Sequence, residues 1–168
     1  APDLSSYPGT VQHFNYKNQP EKNMPYHHNY DCEAVTLVQQ TLWLFSKNWQ
    51  DGHTFLYHLA LDQPHQTLSP VARLNIEGLI TGADYNEQNN TLALVGYTQQ
   101  RIFGSAFVWL FEIENSAIKP DSARYFELPT YAQWEGIVWQ DPSTLILTTE
   151  QSPISKSQIA TLSLKKSD

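Results

Sequence analysis

Glu33, Asp84 and Glu135 recur at an interval of 51 residues, each at the opening of an apolar strand-like run. Asp31 stands two residues before Glu33, and Lys47, Tyr97 and Glu150 fall at the ends of the apolar runs that follow. If consecutive runs pair antiparallel, the start of the first lies beside the end of the second. Glu33 then meets the region of Lys47, Asp84 that of Tyr97, and Glu135 that of Glu150, all at one end of the molecule. Carboxylates converging from separate strands can supply the roughly six to eight oxygens that a hard cation such as Ca²⁺ takes. Two close carboxylates, Glu135 and Glu150, must share a proton or hold a cation. Asp84, Glu135, Glu150 and Glu33 are therefore the candidate metal ligands, and Asp31, Glu33, Lys47 and Tyr97 the candidate ligand-contacting residues of a polar channel. A bound cation would allow hydrolysis, with one carboxylate as base. The plainer alternative is that each acid accepts hydrogen bonds from neighbouring strand amides while Lys47 neutralises Glu33. The residue types leave these readings open.

The elements that must position these groups also repeat. Each acid is followed by a Thr-Leu pair, Thr41-Leu42, Thr91-Leu92 and Thr144-Leu145, at the start of a second apolar run. Strands are expected at Cys32–Val38, Thr41–Ser46, Thr54–Leu61 and Val71–Ile76. The next group is Leu79–Tyr85, Thr91–Tyr97, Ser105–Ile113 and Ala123–Leu128, and the last is Gln133–Trp139, Thr144–Thr149 and Gln158–Leu164. An edge strand is expected at Val11–Lys17, and turns at Gln39-Gln40 and Asp51-Gly52. No stretch carries sustained helical periodicity. Four strands in a unit of about 50 residues is the pattern of β-propeller blades. The expected organisation is an arm over 1–29, blades over 30–78 and 79–130, and a third blade over 131–168 that lacks its outer strand. Three blades are too few to close, so a second chain or preceding blades are expected to complete a ring of six.

The segments DCEAVTLVQQTLWLFSKNW, LITGADYNEQNNTLALVGY and QWEGIVW with LILTTEQ resemble the C-terminal half of bacterial six-bladed propeller proteins. That group lies near the SdiA-regulated and phytase-like, or esterase-like, propellers. The resemblance rests on D-x-E-A, Lys47-Asn48, T-G-A-D, E-G-I and T-T-E over about residues 11 to 164. It implies an envelope-associated or secreted propeller with a divalent cation in its channel. The N-terminal blades of such proteins are not in this sequence. The expected function is a binding module with an acidic channel holding Ca²⁺, and the alternative is a cation-dependent phosphoesterase or lactonase-like hydrolase.

Composition narrows the partners. Seventeen acids against ten bases give a net charge of −7, which disfavours nucleic acid and anionic membranes. No apolar run reaches the roughly 18 residues of a membrane span. The single cysteine, Cys32, excludes an intrachain disulfide and is expected to be buried. The chain starts at Ala1, so a processed or truncated N-terminus is expected. The histidines lack metal-site spacing, and nucleophile-elbow and phosphate-loop motifs are missing. Trp43, Trp109, Trp134 and Trp139 are expected to pack between sheets. Trp49, in a loop beside Lys47, is placed to stack on a ligand such as a sugar.

Overall fold

The computed structural model describes residues 11–22, 24–99, 104–151 and 156–164. The first ten residues of the expected arm and the last four of the expected third blade lie outside these. The described chain is all-β, with thirteen strands and no helix. Three antiparallel sheets follow one another along the sequence. The first is β2 (Asp31–Val38), β3 (Thr41–Lys47), β4 (His53–Ala60) and β6 (Ala72–Asn75), in that spatial order. The second is β7 (Leu79–Asn86), β8 (Thr91–Tyr97), β9 (Ala106–Glu114) and β10 (Ala117–Leu128). The third is β11 (Trp134–Asp141), β12 (Thr144–Thr149) and β13 (Gln158–Ser163). The pattern of four, four and three strands matches the sequence expectation strand for strand, because alternating β-branched and aromatic runs between turn residues leave few other choices.

The sheets are stacked in sequence order through their faces. Ala34, Trp43, Phe45 and Leu56 of the first meet Ile80, Leu92, Leu94 and Phe107 of the second. The opposite face of the second, with Leu79, Ala93, Val95 and Val108, meets Trp134, Leu145 and Leu147 of the third. The middle sheet is thus covered on both sides, and every residue of β8 is buried. The first strands β2, β7 and β11 lie together, with β7 packed against both others. Gly82 is required where β7 passes β11: a Cβ there would sit 2.7 Å from the Glu135 carbonyl oxygen.

Two strands form a separate pair. β1 (His13–Tyr16) lies parallel to β5 (His65–Leu68), and the two cover part of the outer face of the first sheet. Tyr16 and Leu68 cluster there with Leu44, Tyr57 and Leu59. The sequence marked the β1 segment as an edge strand but missed β5, whose four residues HQTL carry only one apolar side chain. Within this chain the arm strand is paired with β5. Beyond that cover, Val35 and Leu37 on the first sheet remain 48% and 52% exposed. Val138 and Ile159 on the third are 50% and 77% exposed. The stack therefore ends in a partly apolar face at each side.

The three leading hairpins share a defect. In each, the register slips by one residue near the start of the first strand: between Cys32 and Ala34, between Ile80 and Gly82, and between Trp134 and Gly136. The extra residues are Glu33, Thr81 and Glu135. A β-bulge of this kind re-aims the side chain it inserts.

Candidate binding mouth

The bulges correct the reading of the repeat. Equal 51-residue spacing equated Asp84 with Glu33 and Glu135, but the residue at the matching bulge is Thr81. Asp84 lies three residues further on, in regular pairing with Ala93. Its carboxylate accepts the Trp139 backbone N–H at 2.7 Å, and its carbonyl accepts the Trp139 indole N–H at 3.3 Å. Asp84 is a tie between β7 and β11. Thr81 ties the same two strands by donating its hydroxyl to the Trp134 carbonyl. The ends of the second strands were equated correctly: measured from the bulge, Lys47 and Tyr97 stand at the same place in their sheets, and Glu150 follows β12 at the corresponding position.

Lys47 is the centre of what remains. Its side chain is 7% exposed, with Nζ 3.7 Å from Glu33 Oε1. The ammonium also lies 4.9 Å from the centre of the Trp49 ring and 5.6 Å from that of Tyr97. A cation removed from water is held here by one carboxylate and two π faces. Burial pushes the Tyr97 hydroxyl pKa up, against the opposing charge of and hydrogen bond from Lys47. Burial likewise raises the Glu135 carboxyl; Lys47 opposes this, while the charges of Glu33 and Glu150 add to it. Glu33, Lys47, Tyr97 and Glu135, with Glu150 exposed at the edge, are therefore brought into one electrostatic neighbourhood from three sheets.

Asp31 takes a different role from Glu33. Its carboxylate accepts the Trp49 indole N–H at 2.6 Å and lies 3.6 Å from His28 Nε2, so it positions the Trp49 ring. The loop after β3 is fixed from below by buried polar groups. The Ser46 hydroxyl donates to Asn48 Oδ1 at 2.5 Å and accepts the Phe55 N–H at 2.9 Å. The Asn48 amide donates to Asp51 at 3.2 Å, and Gly52 turns the chain with φ of 64°. The segment before β2 is clipped on from above by Trp49 N–H to the His28 carbonyl at 3.2 Å and Gln50 Nε2 to the His27 carbonyl at 2.8 Å.

Among the described residues no group of three or more His, Cys, Asp or Glu side chains is placed to hold a metal. Of the four expected ligands, Asp84 is committed to Trp139, and the Lys47 ammonium lies against Glu33 where a cation would compete with it. Glu135 and Glu150 are left as a pair. Cys32, expected to be buried, is exposed. Trp43 and Trp134 pack between sheets at 1% and 2% exposure, as the strand pattern implied.

Beside the mouth lies an open cleft of about 580 Å³, lined among others by Tyr26, Trp49, Tyr97, Gln99, Tyr131 and Gln133. Of these the sequence pointed only to Trp49 and Tyr97. Tyr26, Gln99, Tyr131 and Gln133 sit in loops or at strand ends, where no periodicity marks a side chain. No helix of the described residues is long and apolar enough to cross a membrane. Compared with protein-family models, curated proteins and solved structures, the chain matches none.

Proposed function

We propose that the three sheets are propeller-type blades of a bacterial envelope or secreted protein, and that their common polar end binds a small ligand. One observation carries the reading: Glu33, Tyr97 and Glu135, one from each of the three sheets, surround or influence the buried ammonium of Lys47. Stability alone does not favour such a cluster, since replacing a buried ion pair by well-packed apolar groups is often neutral or stabilising. Preformed polar groups beside a cleft, which Tyr97 borders, are what a ligand site needs. The shared bulge and the face-to-face stacking in sequence order support the blade reading. The alternative, a cation-dependent hydrolase, asks Asp84 to leave the Trp139 amide, and the donor set favours binding over it.

The test is a screen of small amines, carboxylates, polyols and saccharides by backbone amide shifts. Binders should perturb Lys47, Tyr97 and Glu135 together, lose at least tenfold in affinity in Lys47→Met, and be indifferent to a chelator. Binders that move none of these amides would sink the proposal.

A second reading, about assembly, follows from the exposed Val35, Leu37, Val138 and Ile159. We propose that sheets of the same kind cover these two faces, from a second copy of the chain or from preceding blades of a longer one. Native mass measurement of this chain is expected to give twice 19.2 kDa, reverting to one chain in Leu37→Glu/Ile159→Glu. A monomer whose two faces are also inert toward any added blade fragment would overturn it.

A further inference from the structure

We propose that the cleft beside Lys47 takes a neutral saccharide; this rests on the binding-mouth reading and names the class of ligand that the reading leaves open. Tyr26, Trp49, Tyr97 and Tyr131 supply aromatic surface, Gln99 and Gln133 supply amides, and no Asp, Glu, Lys or Arg is among the lining residues. A charged ligand would find no carboxylate, lysine or arginine on these walls, only the His27 imidazole. A wholly apolar one would leave the amides facing it unpaired. A sugar ring satisfies both demands, because its C–H face lies on an aromatic ring while its hydroxyls, each donor and acceptor, match carboxamides that are also both. The volume of about 580 Å³ falls within the range of small-ligand sites, roughly 300–1,000 Å³.

The cleft's amides keep hydrogen-bonding capacity while its rings are fixed. The Gln133 side chain is exposed and has no partner among the described residues. Gln99 donates Nε2 to the Trp49 carbonyl at 2.6 Å, which leaves its own carbonyl oxygen available as an acceptor. Trp49 is held by Asp31 through its indole nitrogen at 2.6 Å and by the Lys47 ammonium on its ring. Preorganised aromatic surface lowers the ordering cost of binding.

Tyr26 is placed to act as a clamp. It is 67% exposed, stands edge-to-face to Trp49 with ring centres 4.9 Å apart, and has a backbone φ of 61°. The left-handed conformation is unfavourable for a bulky residue, and strain of this kind gathers at ligand clamps. No core packing uses this ring.

The experiment is calorimetric titration of the chain with cellotetraose, maltotetraose, xylotetraose and chitotetraose, with linear sorbitol and lysine as controls. At least one tetrasaccharide should bind saturably and sorbitol should not, since an open-chain polyol has no rigid C–H face. Gln133→Ala, at an exposed position, and Tyr131→Ala should each weaken that saccharide about tenfold or more. Lysine binding at Lys47, Tyr97 and Glu135 with no saccharide bound would overturn the inference and leave the mouth reading standing. Saccharide affinity unchanged in both variants would overturn it too. Failure of every probe would overturn the saccharide inference and leave the mouth reading to its own, wider screen.

Discussion

Lys47 and Glu135 decide the electrostatics of the mouth, and they act on each other in a checkable direction. Burial raises the Glu135 carboxyl first, Lys47 pulls it back, and Glu33 and Glu150 push it further up. Lys47→Met is therefore expected to raise the Glu135 pKa, and Glu33→Gln to lower it, in a carbon-detected titration of the glutamate side chains. Equal or reversed shifts would show that the three groups do not share one environment. The linkage to stability has a definite sign. A carboxyl raised on folding favours the native state while it is protonated. That contribution is complete below the ordinary glutamate value and disappears as pH rises through the raised one. Little of this was readable from residue types alone. Lys47 with Glu33 was legible because the end of one strand faces the start of its neighbour. The cleft residues Tyr131 and Gln133 were not, since a loop side chain owes its position to distant contacts.

At the level of elements, the fold was largely legible and its register was not. Runs such as TFLYHLAL and SAFVWLFEI can be little else than buried strands. A bulge, by contrast, is one extra residue with no composition of its own, so the sequence set Asp84 at the site of Thr81. The consequence is testable. Asp84→Ala should cost about 1.5–3 kcal/mol in denaturant unfolding, the usual worth of a hydrogen bond to a charged acceptor, and should leave ligand binding at the mouth unchanged. A loss of binding without loss of stability would return Asp84 to the site. The β2–β3 hairpin offers the opposite sign. Gln39 and Gln40 both have positive φ, 46° and 69°, the two-residue turn that prefers Asn-Gly. Gln40→Gly should stabilise by about 0.5–1 kcal/mol, as relief of left-handed strain outweighs the flexibility that glycine adds to the unfolded chain. Gln39 is better kept, because its side chain accepts the Ser116 hydroxyl at 2.6 Å from the next sheet.

For the molecule as a whole, the stacking of sheets in sequence order makes its interior one-dimensional. The second and third sheets are built from consecutive strands and the first from β2, β3, β4 and β6, and the buried core clusters each join adjacent sheets. Such molecules divide their stability into units and joints. The first sheet has one joint and the β1–β5 cover, the third has one joint, and the middle sheet has two.

This arrangement fixes an order of opening. Under native conditions, the amides of β8 and β9 should exchange with solvent last, through global unfolding alone. Those of β12 and β13 should exchange earlier, by release of the third sheet while the other two stay folded. Refolding should then run outward, with the hairpin of β7 and β8 as the nucleus and each flank condensing onto a finished neighbour. The mouth, which draws its side chains from all three sheets, would be the last feature to exist. A ligand that binds there would act as a clasp, converting three separable units into one cooperative body, with the exchange rates of β12 and β13 falling to meet those of β8.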